Sequence, residues 1–170
     1  MNTRLVTLSL IIFSIAIFRL LPHPPNVSPV AAMALFGGAC FTDRRVAFLV
    51  PFLALMLSDL VLGLHDTMVY VYAAFALTVA IGFWVGRNAC VTRIATAAVG
   101  SSVLFFIITN FGAWFTSGLY PMTLDGLLQA YVTGIPFFQN SLMGNLVFTA
   151  LLFGGFAALQ RRLPSLAENA

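Results

Sequence analysis

The chain has 170 residues, of which 61% are hydrophobic and only 8% are charged. A soluble domain carries about 45 to 50% apolar and about 25% charged residues, so this composition excludes a soluble globular protein. The formal charge of +3 comes from eight arginines scattered along the chain, which argues against the clustered basic face of a nucleic-acid-binding protein. Two distant cysteines, Cys40 and Cys90, indicate neither a disulfide framework nor a zinc site.

Six apolar stretches are long enough, or nearly so, to cross a lipid bilayer as helices. A spanning helix needs about 20 mainly apolar residues, and these runs lack the alternation that barrel strands require. We therefore predict an all-α, polytopic membrane protein with six transmembrane helices, and residues 1–170 forming a single integral membrane domain. The second stretch is short, which predicts a helix that is tilted, partly unwound or extended into the preceding loop. The predicted spans are residues 5–21, 29–41, 46–64, 68–86, 94–115 and 141–159.

The arginines predict the orientation of the chain, because cytoplasmic connections retain positive charge. With six spans, seven of the eight arginines lie on one side together with both termini, and only Arg19 lies at the other end. The prediction is an N-in, C-in protein of the bacterial cytoplasmic (inner) membrane. The alternative reads residues 5–18 as a cleavable signal peptide, although Arg19 and a proline-rich run interrupt the path to a cleavage site near residues 31–34. The seven inner arginines are Arg4, Arg44, Arg45, Arg87, Arg93, Arg161 and Arg162.

The predicted outer connections are longer and richer in Pro, aromatic residues, His and Asn than the inner ones. Loop 1, residues 21–29, contains four prolines, which exclude a helix and stiffen the backbone. Loop 3 covers residues 63–67. Loop 5, residues 116–140, is the longest, and its apolar stretch 124–132 is too short to span. Because its composition is opposite to that of disordered segments, we expect loop 5 to fold back over the bundle as a lid or re-entrant segment.

Asp59 lies inside the third predicted span. A carboxylate near the bilayer centre costs about 2.5 to 3.5 kcal/mol on insertion scales, so it is expected to face a partner or a polar cavity. Asp59 lies about five residues, or roughly 7.5 Å, below the outer end of its span, and Arg19 lies at a similar depth in the first span. We expect an Arg19–Asp59 ion pair, which either only joins the two helices or also faces a ligand.

Other polar and aromatic side chains gather at the same outer end, where they are candidate ligand-binding residues. Each has a plainer interpretation: the histidines could be solvated, the amides could bond neighbouring helices, and the aromatic residues could form an interfacial belt. No nucleotide-binding glycine motif, metal-ligand cluster or Ser/His/Asp set occurs, so we predict no enzyme activity, catalytic residue, metal or cofactor. The candidate ligand-binding residues are His23, Asn26, Asp59, His65, Asn110, Trp114, Tyr120 and Asn140.

Several loop and helix motifs resemble a family of uncharacterised bacterial integral membrane proteins. The motifs are RLLPHPPNVSPVAAMALFGG at 19–38, LSDLVLGLH at 57–65, ITNFGAW at 108–114, YP at 120–121 and IPFFQN at 135–140. The architecture also resembles the S components of energy-coupling factor transporters. That resemblance implies a vitamin-like or heterocyclic substrate bound under loops 1, 3 and 5, and a separate energising transmembrane subunit with ATPases.

Two classes of function follow from these patterns. The first is a substrate-binding membrane transport protein in the lipid bilayer that captures a small molecule at the outer face. The second is a non-transport protein, either a membrane scaffold or a membrane enzyme acting on a lipid-linked substrate. The first span lacks the AxxxA pattern with which the resembling S components join a shared energising module. The sequence also shows no inverted repeat, which counts against an ordinary secondary transporter. A polar cavity beneath the outer loops would favour the transport protein.

Overall fold

The computed structural model describes residues 2–166, and these residues form only helices and the segments that connect them. Five helices are long and apolar enough to cross a membrane, and a sixth is shorter. The chain is therefore an all-α, multi-pass membrane protein, and the predicted fold class is confirmed. The helices are α1 (Thr3–Ile17), α2 (Val30–Cys40), α3 (Arg44–Leu62), α4 (Met68–Gly86), α5 (Val91–Thr116) and α6 (Leu124–Arg162), with short 3₁₀ helices at Phe18–Leu20 and Pro164–Leu166.

Helix α2 lies at the centre of the bundle. All of its residues except Ala39 are buried, and it contacts each of the other five α-helices. Its 11 residues extend for about 16 Å, which is much less than the roughly 30 Å hydrocarbon thickness. Because protein surrounds it on all sides, it need not span lipid by itself, and non-helical backbone at its ends is tolerated.

Helix α2 lies very close to α4 at two glycines. A Cβ atom on Gly82 would lie 2.5 Å from the carbonyl oxygen of Leu35 and 2.7 Å from the Cα atom of Gly38. A Cβ atom on Gly38 would collide with the carbonyl oxygen of Val79. Backbone therefore meets backbone here, as glycine permits in membrane helix pairs.

The predicted fifth loop is wrong over most of its length. Only residues 117–123 connect α5 to α6, and residues 124–140, expected as a lid or re-entrant segment, are the first part of α6. The helix starts where the Thr123 hydroxyl accepts a hydrogen bond from the Gly126 amide, at 3.2 Å. Helix α6 thus has 39 residues and a length of about 58 Å.

The loop prediction for residues 124–140 was wrong because the outer half of α6 contains residues that usually interrupt helices. Pro136 lies in the helix interior, and Gly126 and Gly134 weaken the local helix propensity. Packing outweighs these preferences, since Gly126, Ala130 and Gly134 are all buried. This face of α6 lies against α5, where the Tyr131 hydroxyl donates to the Ile107 carbonyl at 3.0 Å.

Arginines gather at one end of the bundle. Arg4 donates to the carbonyl oxygens of Cys40 and Leu166, at 2.9 and 2.7 Å, which joins the start of α1 to the end of α2 and to the segment after α6. Arg93, in the first turn of α5, lies over the ring of Trp84 near the end of α4, 4.6 Å from the ring centroid. These contacts agree with the arginine distribution from which the orientation was predicted.

Cysteine labelling tests this orientation. In a Cys90→Ser background, which removes an exposed native thiol and leaves the buried Cys40, an impermeant thiol reagent should label Ser117→Cys on intact cells. Arg45→Cys should react only after the membrane is permeabilised. Equal labelling of both positions on intact cells would contradict the six-span, N-in topology.

Candidate ligand cavity

A cavity of about 500 Å³ lies at the end of the bundle opposite seven of the eight arginines, and Arg19 is part of its lining. Its lining comes from residues 19–31, from residues 65–71, from the outer part of α5 and from the outer half of α6. Small-molecule sites usually measure about 300 to 1,000 Å³ and combine an apolar wall with a few polar groups. The cavity therefore has the size and position expected of a ligand site.

One wall of the cavity is aromatic. Phe105 and Phe106 on α5 and Phe137 and Phe138 on α6 line it. The rings of Phe106 and Phe138 lie 4.9 Å apart, tilted by 51°, which is within the usual range for a favourable aromatic pair. Four phenylalanines on two adjacent helices provide flat apolar surfaces against which a planar molecule can stack.

Asn145 anchors the deepest polar part of the lining. Its side chain is 2% exposed, and its Nδ2 atom donates to the Ala98 carbonyl at 2.8 Å and to the Ser102 hydroxyl at 2.9 Å. Its Oδ1 atom accepts from the Thr149 hydroxyl at 3.4 Å. Because these bonds satisfy the buried amide within the protein, Asn145 joins α5 to α6 and fixes the cavity floor.

Asn110 lies higher on the α5 side of the cavity. Its Nδ2 atom donates to the Phe106 carbonyl at 2.8 Å, and its Oδ1 atom faces Gly134 of α6 so closely that a Cβ at position 134 would collide with it. Gly134 therefore leaves the space that this amide occupies. Among residues 2–166, the Asn110 nitrogen has a hydrogen-bond partner and its oxygen has none.

Arg19 and Asp59 form a buried ion pair beside the cavity. Arg19 Nη2 lies 2.6 Å from Asp59 Oδ1, and the two side chains are 13% and 4% exposed. Arg19 Nη1 donates to the Ser58 hydroxyl and to the Leu55 carbonyl, while the Tyr72 hydroxyl donates to Asp59 Oδ2 at 2.9 Å. Arg19 lines the cavity and Asp59 does not, so the carboxylate binds the guanidinium from outside the cavity lining.

Apart from Asp59, the predicted ligand-binding residues divide into two groups. Asn26, His65 and Asn110 line the cavity. His65 is held within its own loop, where its Nδ1 atom lies 2.9 Å from the Thr67 hydroxyl. Asn26 has a positive φ of 63°, which marks the turn in loop 1 and is tolerated by asparagine.

The other predicted ligand-binding residues, apart from Asp59, hold the outer connections together. Each bonds a neighbouring protein group and does not line the cavity. His23 Nδ1 lies 2.6 Å from the Leu21 carbonyl, Trp114 Nε1 donates to the Pro121 carbonyl at 2.9 Å, the Tyr120 hydroxyl lies 2.8 Å from the Thr133 hydroxyl, and Asn140 Nδ2 donates to the Pro25 carbonyl at 3.1 Å.

Comparison with known proteins gives a family without an assigned role. Residues 1–166 match the model of a family described as "Family of unknown function (DUF6580)". The chain belongs to this family. No curated protein and no solved structure matches the chain. The predicted membership of an uncharacterised family is confirmed, and these comparisons do not bear on the resemblance to S components.

The sequence interpretation missed most of the side chains that line the cavity in this DUF6580 protein. They follow helical spacing on two faces, so a periodicity search for mixed aromatic and polar faces could have found them. The missed residues on α5 are Ser102, Phe105, Phe106 and Thr109, which share a face with Asn110. Those on α6 are Gly134 and Ser141, which share a face with Phe137, Phe138 and Asn145.

The tyrosine that completes the ion-pair network was also missed. Asp59 lies three residues before the end of α3, and Tyr72 lies four residues after the start of α4. Since the two helices are consecutive and antiparallel, these positions have the same depth in the bundle. The matching depths of the Tyr72 hydroxyl and the Asp59 carboxylate were therefore the sequence signal that could have predicted this hydrogen bond.

Proposed function

We propose that this protein is a substrate-binding membrane transport protein of the bacterial cytoplasmic membrane. It captures a small vitamin-like or heterocyclic molecule at the outer face. The observation that carries this proposal is the cavity of about 500 Å³, which has an aromatic wall and a polar rim. A protein that only holds other proteins together has no need of such a cavity.

Hydrogen bonds within the protein hold the residues around the cavity in place, which supports capture. Asn140 of α6 bonds the Pro25 carbonyl of loop 1, and loop 1 is stiffened by its prolines. Asn145 holds α5 and α6 at a fixed separation. Binding therefore orders few groups, and the entropic cost of association is small.

The resemblance to S components supports the transport part of the proposal. In those proteins the substrate lies under loops 1, 3 and 5. Here residues 26 and 28 of loop 1 and residues 65 and 67 of loop 3 line the cavity, while the start of α6 occupies most of the predicted loop 5. A transport cycle of this type needs a separate energising transmembrane subunit with ATPases as a partner.

A variant that fills the cavity tests capture. Ala113 on α5 lines the cavity, and Ala113→Trp should occupy much of it. The matched control is Ala95→Trp, at an exposed position on the same helix. Both variants and the parent protein are purified in lipid nanodiscs, and their small-molecule content is compared by native mass spectrometry. We expect a small molecule to co-purify with the parent and the control and to be absent from Ala113→Trp.

Uptake is tested in cells that overproduce the same three proteins. The parent and Ala95→Trp should deplete one compound from the medium and accumulate it unaltered, whereas Ala113→Trp should not. Accumulation of a chemically altered product would favour the enzyme alternative. Identical small-molecule content and identical uptake in all three proteins would contradict the proposal and favour a scaffold.

A further inference from the structure

The ionisable side chains that line the cavity are both basic. Among residues 2–166, no Asp or Glu lines it, and Arg19 is the lining residue with a permanent charge; His65 is the other basic side chain. The first turn of α2 lines the same cavity through Val30 and Ala31, and no side chain in the described part of the chain caps that helix start. The partial positive charge of the helix start has the same sign as Arg19.

Arg19 retains hydrogen-bonding capacity toward the cavity. A guanidinium has five N–H groups. The three contacts to Leu55, Ser58 and Asp59 use Nη1 twice and Nη2 once. The Nε–H group and one Nη2 N–H group therefore have no acceptor in the described protein. Because Arg19 lines the cavity and Asp59 does not, a ligand in the cavity can reach the guanidinium.

We infer that the captured molecule is a small planar acid, with an aromatic or heterocyclic ring and one carboxylate. This inference rests on the proposed function. The carboxylate accepts hydrogen bonds from Arg19, and the ring lies against Phe106 and Phe138. Charge-assisted hydrogen bonds from a partly desolvated guanidinium favour an anion over a neutral acceptor. A cation is disfavoured because no lining carboxylate compensates its charge.

Three probes of nearly equal shape test the charge preference. Indole-3-acetate is an anion, indole-3-acetamide is neutral and tryptamine is a cation at pH 7. Binding to the full-length protein in nanodiscs of uncharged lipid is measured by isothermal titration calorimetry. We expect indole-3-acetate to bind at least about tenfold more tightly than indole-3-acetamide, and tryptamine to bind most weakly.

A charge-neutral double variant assigns the preference to Arg19. Arg19→Gln with Asp59→Asn removes both charges and leaves no unpaired ion, so it should fold. In this variant indole-3-acetate and indole-3-acetamide should bind within about twofold of each other, since the charge-assisted bonds are lost. The matched control is Arg162→Gln with Asp125→Asn, two exposed residues outside the cavity, which should keep the preference for the acid.

The outcomes separate this inference from the proposed function. Equal binding of the acid and the amide by the parent protein, persistence of the preference in the Arg19→Gln, Asp59→Asn variant, or no binding of any probe would overturn the planar-acid assignment. The proposed function would then still be decided by the co-purification and uptake experiments. If Ala113→Trp binds indole-3-acetate as tightly as the parent, the acid binds elsewhere and the cavity is not its site.

Discussion

Asp59→Ala should lower the free energy of unfolding by about 3 kcal/mol, because it leaves the largely buried Arg19 charge without a counter-ion. The substitution removes the acceptor 2.6 Å from Arg19 Nη2. It also removes the acceptor of the Tyr72 hydroxyl, which then has no partner at the α3–α4 interface. The measurement is thermal unfolding of the purified protein in one lipid and detergent composition.

A double-mutant cycle distinguishes a direct pair from two independent effects. Arg19→Ala combined with Asp59→Ala should be more stable than Asp59→Ala alone, since no charge remains uncompensated. Tyr72→Phe keeps the ring and removes only the hydroxyl, so its loss should be smaller, about 1.5 kcal/mol. Strictly additive losses for the Arg19 and Asp59 substitutions would show that the two side chains do not interact.

The fold class could be predicted because lipid restricts the possible structures. A chain with long apolar runs must satisfy its backbone within helices or a closed barrel, and the predicted span 68–86 coincides with α4 (Met68–Gly86). The start of α6 could not be predicted in this way. Pro136 and the nearby glycines indicate a loop when only local preferences are considered, whereas contacts with α5, distant in sequence, keep this segment helical.

The same error explains much of what was missed at the cavity. With residues 124–140 interpreted as a loop, Gly134, Phe137 and Phe138 were not recognised as one helical face. Asn26, His65 and Asn110 could be predicted because they are polar residues near the outer end of their elements. A cavity wall made of phenylalanines gives no such signal, since phenylalanine is equally common on faces that meet lipid.

The outer polar residues that do not line the cavity also have a physical explanation. Segments rich in proline form few regular backbone hydrogen bonds, so their carbonyl oxygens need other donors. Asn140 donates to the Pro25 carbonyl, and Trp114 donates to the Pro121 carbonyl, which also accepts from the Thr123 amide at 2.8 Å. The sequence identified these side chains as unusual but could not distinguish donation to backbone from donation to a ligand. Pairing of this kind depends on the folded path of the chain.

Gly82→Ala should destabilise the protein by about 3 kcal/mol or more, because the added Cβ meets backbone atoms of α2 that cannot move independently. It would lie 2.5 Å from the Leu35 carbonyl oxygen, and relief of this clash would require α4 to move away from the central helix.

Gly100→Ala is the matched control. Among the described residues, nothing lies within 4 Å of its Cβ position on α5, so replacing this helical glycine should leave stability unchanged or raise it by up to about 1 kcal/mol. Gly82→Ala should therefore lower the melting temperature of the parent protein, whereas Gly100→Ala should leave it unchanged or raise it. Equal melting temperatures would show that α2 and α4 are not in backbone contact.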